Sequence, residues 1–140
     1  MTHEDLTMTR EAACACGQLR LTCEGEPLRI AICHCLDCQR RTGVPFSMQV
    51  RYARDKVTAI TGKSTQFTRP AESGNSVTFS FCPLCGSTVF WELSAFPGVL
   101  AVAVGAFADP QFPAPRHSVF ERRRHHWVDL SGLPDIEHLD

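Results

Sequence analysis

The sequence contains no apolar run long enough to cross a bilayer. Its longest, Val99 to Ala108, is ten residues, where a membrane helix needs about 20. It also lacks an excess of either charge. Fourteen Lys and Arg against 15 Asp and Glu leave a formal net charge of −1, so no global field draws the chain to nucleic acid or to an anionic membrane. Internal repeats, low-complexity tracts and linker-like stretches are absent. Met1–Arg10 carries His3, Glu4 and Asp5 where an export signal would place its apolar core. These absences lead us to expect a soluble, cytoplasmic protein with a disordered polar tail over residues 1–12 and one folded domain over residues 13–140. Self-association into a homo-oligomer stays open.

Helical patterning is scarce as well. Leu36–Arg41 alone reads as a helical turn, with Asp37 in its first turn, Arg40 and Arg41 in its last, and Gly43 where a C-terminal cap belongs. The rest resolves into short β segments: Gln18–Thr22, Phe46–Tyr52, Val57–Thr61, Thr65–Arg69, Ser76–Phe81, Ser87–Leu93 and Val99–Gly105. Turn residues separate them, and the three prolines of Asp109–Pro115 predict an extended loop. The fold class is mostly β, and Phe46, Phe79, Phe81 and Phe90 are assigned to its core.

What is abundant is cysteine, eight in 140 residues. In a reducing compartment these remain thiols, which points to metal ligation, with disulfides left for an exported chain. They fall as Cys14-Ala15-Cys16-Gly17, a lone Cys23, Cys33-His34-Cys35-Leu36-Asp37-Cys38, and Cys82-Pro83-Leu84-Cys85-Gly86. A Cys-x-x-Cys-Gly turn aims two sulfurs at one ion, and a closed tetrahedral zinc site takes four. Cys14 and Cys16 are the natural partners of Cys82 and Cys85 in a structural site, since Gly17 lets the chain bend enough to bring alternate residues together. A redox Cys-x-x-Cys is the competing reading of Cys82 and Cys85.

The middle group has another character. Cys35 and Cys38 share one face of a helical turn and Cys33 reaches in from the preceding strand, whereas His34, between two ligands, is expected to point away. Three protein ligands leave a zinc ion with an open position, the catalytic pattern. Cys23 continues the face of Leu19 and Leu21 and reads as a small core residue, yet as a fourth thiolate it would close the second site.

These motifs, with Arg40 and Thr42-Gly43 after the middle group, Val102–Gly105, Asp109-Pro110 and Gly132-Leu133-Pro134, resemble the glutathione-dependent formaldehyde-activating enzyme family, which also contains centromere protein V. The likeness spans roughly residues 13 to 134, with Gln39 and Cys23 outside the family pattern. It implies an antiparallel β-tent fold, with one short helical turn near residues 36–41, built around a zinc-ribbon-like structural site. It implies two zinc ions per chain: one on Cys14, Cys16, Cys82 and Cys85, and a second on Cys33, Cys35 and Cys38. The implied activity is that of a zinc-dependent carbon–sulfur lyase joining glutathione and formaldehyde as S-hydroxymethylglutathione, or acting on another thiol–aldehyde adduct.

That chemistry agrees with the ligands. Three thiolates make a soft centre suited to taking up a further thiol, which binds as thiolate and becomes a nucleophile. His34 is the candidate proton donor. Arg40 and Arg41 are candidate ligands for the carboxylates of glutathione, or they balance the helix dipole and the thiolate charge. The alternative is a non-catalytic zinc-stabilised binding module using the basic run Arg122–Arg124, which is followed by His125, His126 and Trp127. The near-neutral net charge speaks against nucleic acid as its partner. His117, after the proline loop, is expected to be structural.

Overall fold

Leu19, Leu21 and Cys23 are buried while Arg20 and Thr22 between them are not, the period-two pattern of a strand with one wet face. In this computed structural model, which describes residues 8–71 and 74–140, that segment ends in β2 (Arg20–Glu24). It pairs antiparallel with β1 (Thr9–Ala13) and with β5 (Val57–Thr61) in a three-stranded sheet ordered β1-β2-β5. The expected tail over residues 1–12 is corrected at its end. Residues 9–12 are strand, because Ala12 drops into the core and Thr9–Ala13 runs in register with Arg20–Glu24. Residues 1–7 of that tail lie outside the described residues.

The remaining strands are β3 (Arg29–Cys33), β4 (Ser47–Ala53), β6 (Thr65–Pro70), β7 (Ser76–Phe81), β8 (Thr88–Leu93), β9 (Val99–Ala103), β10 (His117–Val119) and β11 (Glu137–His138). They form an eight-stranded sheet ordered β11-β10-β3-β4-β9-β8-β7-β6. The pairings from β3 to β6 are antiparallel, but β10 runs parallel to both β3 and β11, so the sheet is mixed rather than wholly antiparallel. The long connection from β9 to β10 provides the crossover that a parallel pairing requires. The prediction for β9 ran through Gly105. The strand ends at Ala103, where Val104–Phe107 turn in a 3-10 helix that puts Phe107 into the core against Phe112.

Alternation along the large sheet separates two faces. Ile30, Val50, Tyr52, Leu100, Val102 and Phe90 point inward and meet Ala12, Leu19, Leu21 and Cys23 from the small sheet. A fully buried Leu or Val there contributes about 1.5–3 kcal/mol of hydrophobic stabilisation. The opposite face carries Phe79, Trp91 and Ala101 as a second apolar cluster. The registers Phe79↔Trp91, Trp91↔Ala101, Ala101↔Arg51 and Arg51↔Arg29 extend this outer face across to β3, where Cys33 stands opposite Ser47.

Among the described residues the one α-helix, α1 (Leu36–Thr42), follows β3 and contacts β4. The Cys35 side chain caps it, accepting from the Cys38 N–H. Gly43 ends it with φ +74 and returns its own N–H to Gln39 O, the left-handed cap that the sequence signalled.

Candidate functional site

Two tight turns build the first cysteine group. Gly17 N–H bonds to Cys14 O at 3.0 Å and Gly86 N–H to Cys82 O at 2.8 Å, so each turn lifts its two sulfurs to one side. Cys14 Sγ and Cys16 Sγ lie 3.6 Å apart, and Cys16 Sγ and Cys82 Sγ 3.7 Å. Sulfurs around one tetrahedral zinc ion stand roughly 3.8 Å apart. Cys85 completes the group, with all four sulfurs within 4.8 Å of one another.

Donors surround these sulfurs. Leu19 N–H reaches Cys14 Sγ at 3.2 Å, Gln18 Nε2 reaches Cys82 Sγ at 3.0 Å, and Leu84 N–H reaches the same sulfur at 3.4 Å. Hydrogen bonding with Ser87, through its side chain and its backbone, brings the Cys85 thiol down to about 5, well below the usual range near 8.5. Cys82 is lowered as well, whereas the neighbouring Cys14, Cys82 and Cys85 thiols help to push Cys16 up to about 11; a set of four convergent sulfurs fits a soft metal ion.

The second group joins the end of β3 to the start of α1. The sulfurs of Cys33, Cys35 and Cys38 lie within 4.8 Å of one another, and among the described residues no other Cys, His, Asp or Glu joins them. The neighbouring Cys33 and Cys35 thiols lower the proton affinity of Cys38 against the cost of burial, helped by Ser47 and by the Arg41 charge. The three convergent sulfurs fit a metal ion held by three thiolates. Cys23 is elsewhere, 1% exposed in the core between the sheets. Burial pushes its thiol up to about 12.

Of the two arginines after the triad, Arg40 is exposed. Arg41 turns inward and stacks on Phe79 at 4.8 Å and Trp91 at 4.7 Å, with its charge near enough to Cys38 to lower that thiol's proton affinity. Phe79 is also overlain at 5.5 Å by Arg69, which pairs with Asp37 of α1 at 3.3 Å. Arg41 and Phe79 border an open apolar cleft of about 320 Å³ with Phe67, Phe81 and Thr88. This ties the helix, the sulfurs and the outer apolar face into one place. Phe79 is a core residue as expected, in the second apolar cluster on this face, whereas Phe81 is half-buried at the cleft.

His34 is fully buried and outside the group of sulfurs. Its Nε2 is 2.9 Å from Ser118 Oγ, its ring stands edge-on to Phe46, and its Nδ1 has no partner. Gln39 Nε2 donates to His34 O and to Arg123 O, and Gln39 Oε1 is 2.8 Å from His125 Nε2. Part of the basic run is thus a strap over α1. Arg124 bonds to Val128 O, while Arg122 and Arg123 are exposed. His117 pairs with Glu137 at 3.3 Å, and His126 is exposed.

Sequence reasoning missed three polar residues of the outer face, Arg29, Gln49 and Arg51. Their signal was weak, because β3 reads Arg-Ile-Ala-Ile-Cys with four consecutive buried residues and shows no alternation.

The chain is a mostly β protein that gathers seven cysteines into two groups, one of four and one of three, each of which could hold a metal ion. The family model described as glutathione-dependent formaldehyde-activating enzyme matches residues 9–123, and the chain belongs to that family. A crystal structure of a Rhodobacter sphaeroides protein is similar over 93% of this chain and 99% of that one, with a TM-score of 0.56 and 15% sequence identity. At that identity the likeness concerns the fold. No curated protein matches the chain. Among the described residues no helix is long and apolar enough to cross a membrane.

Proposed function

We propose that the chain is a zinc-dependent carbon–sulfur lyase acting on a thiol–aldehyde adduct, with glutathione and formaldehyde as its thiol and aldehyde. The observation that carries this reading is the incomplete group of Cys33, Cys35 and Cys38, in a chain of a family defined by glutathione-dependent formaldehyde activation. Cys14, Cys16, Cys82 and Cys85 would hold a structural zinc. They clamp the start of the chain to the β7–β8 turn across 65 intervening residues.

When bound at the second group, zinc supplies a soft centre with affinity for a thiolate sulfur. The chain's own residues do the rest. In the synthetic direction the bond from the glutathione sulfur to the formaldehyde carbon forms, the carbonyl π pair moves to oxygen, and that oxygen gains the proton the thiol lost. The lyase direction reverses each transfer. Arg41 holds positive charge beside the sulfurs, and Phe79 and Trp91 fix its guanidinium by stacking. His34, closed off by Ser118 and Phe46, positions the turn between Cys33 and Cys35. Arg40 faces solvent and is left without a role in this reading.

The test is formation of S-hydroxymethylglutathione from glutathione and formaldehyde, followed by NMR above the uncatalysed rate. We expect wild type to hold two zinc ions and to accelerate the reaction. Cys35→Ala should lose one ion and the activity while its circular dichroism stays native. A protein no faster than buffer, or a Cys35→Ala variant as active as wild type, overturns the proposal.

A further inference from the structure

We infer that Arg29 and Arg51 form a carboxylate-binding pair on the same sheet face as Cys33, and that this pair recognises a carboxylate of the thiol substrate. The inference rests on the functional reading above and assigns residues to it that no sequence motif marks.

Arg29 on β3 and Arg51 on β4 are direct register partners. Like charges placed opposite one another on a sheet destabilise it, so an unneutralised pair calls for an anion. The protein supplies none. Neither arginine has an acidic partner among the described residues, whose ion pairs involve Arg20, Arg69, His117 and His138. Both side chains are half-buried, and the Nε of each is buried with no hydrogen-bond partner. Arg51 also stacks on Phe96, its guanidinium carbon 5.0 Å from the ring centre, which fixes the group without neutralising it. Buried polar atoms in folded proteins are nearly always paired, so two register partners that each leave an Nε without an acceptor mark a site whose acceptor comes from outside.

The surroundings favour a carboxylate attached to a peptide. Gln49 lies between the arginines and the Cys33–Ser47 pair, and its Oε1 is another buried acceptor without a partner. Ala31 and Ala101 on the same face offer only methyl groups beside these polar side chains. Arg29 and His117, whose Nδ1 is also orphaned, line a cavity of about 530 Å³. Arg116 is in the same wall, with Glu26 and Asp135 as its acidic members.

The length is right as well. Arg29 and Cys33 are four residues apart, about 13 Å along a strand. A tripeptide spans at most about 10 Å, and the arginine side chains cover the difference. Arg51 also feels both neighbours: burial and the Arg29 charge lower its proton affinity, while the Cys33 sulfur raises it. A thiol held at the triad would therefore lay its carboxylate over the arginine pair, where planar guanidinium groups bind it in a bidentate way.

The experiment measures binding rather than turnover. S-methylglutathione, its diethyl ester and 3-mercaptopropionate are titrated by calorimetry into zinc-loaded wild type, Arg29→Gln, Arg51→Gln and Arg29→Lys. We expect wild type to bind S-methylglutathione about tenfold or more tightly than the ester, the scale of a lost charged hydrogen-bond pair. Each Gln variant should lose that preference, and Arg29→Lys should keep part of it. Melting temperatures and zinc content should hold or rise, because a repulsion is removed. Wild-type affinity for S-methylglutathione in both Gln variants overturns the subsite, and glutathione turnover by wild type then leaves the functional reading in place. Arginine-dependent binding of S-methylglutathione without any glutathione turnover upholds the subsite and sinks that reading, while 3-mercaptopropionate, too short to span from the sulfurs to the pair, should bind alike in all four proteins. Absence of wild-type binding to all three probes overturns the subsite.

Discussion

Substituting Gly62, which follows β5, should unsettle both the fold and the first cysteine group. An alanine Cβ at this position would stand 2.0 Å from Gln18 O, 2.8 Å from Gln18 C and 2.9 Å from Leu19 Cα. All three are backbone atoms, and ordinary carbon contacts are about 3.5–4.0 Å, so the strands must part by more than about 1 Å. Gly62 also has φ +101, a left-handed conformation that costs an L residue about 1–2 kcal/mol. Overpacking adds about 1–3 kcal/mol. We therefore expect Gly62→Ala to lose about 3 kcal/mol, or about 10 °C in Tm.

The damage should reach the first cysteine group. Gln18 is held by Lys63, its Nε2 bonding to Lys63 O at 2.7 Å and its Oε1 accepting from Lys63 N–H at 2.8 Å, while the same amide donates to Cys82 Sγ. Urea denaturation at saturating zinc measures the stability, and transfer of zinc to a chromophoric chelator measures the site. Gly43→Ala is the control: its φ is +74 but nothing lies within 4 Å of the new Cβ, so it should cost about 1 kcal/mol. Equal stability losses for the two variants, within about 0.5 kcal/mol, would refute the reasoning.

Two further outcomes check other parts of the structure. Arg41→Ala should destabilise the protein by about 1–2 kcal/mol through its two stacked rings, whereas Arg40→Ala should stay within about 0.5 kcal/mol; thermal melts of the pair at fixed zinc concentration would distinguish them. Cys23 should resist iodoacetamide in the folded protein at pH 8, because its thiol is buried and pushed up to about 12 and the thiolate is the reacting species. Mass spectrometry of tryptic peptides reads this directly, and rapid native labelling at Cys23 would contradict its place in the core.

Local chemistry was legible wherever it is written in adjacent residues. Cys82-x-x-Cys85-Gly86 is a turn because of its own backbone bonds, and Leu36–Arg41 is helical because Cys35 caps one end and Gly43 the other. The alternation of Leu19, Leu21 and Cys23 placed Cys23 in the core before any coordinates. β3 was invisible as a strand for the opposite reason. It is covered on both faces, and its pattern carries no period to read. The residues near position 10 looked like tail because their polarity is that of an edge strand, and only pairing with β2 gives them a place.

By itself, the sequence determined which cysteines gather, since pairs at turn spacing converge through local backbone geometry alone. The tertiary structure decided what stands beside them. Arg41 enters the site and Arg40 leaves it, His34 spends its Nε2 on Ser118, and Arg29 and Arg51 meet across two strands 22 residues apart. Those neighbours come from sheet register, and register is fixed by burial of the whole face rather than by any short run of residues.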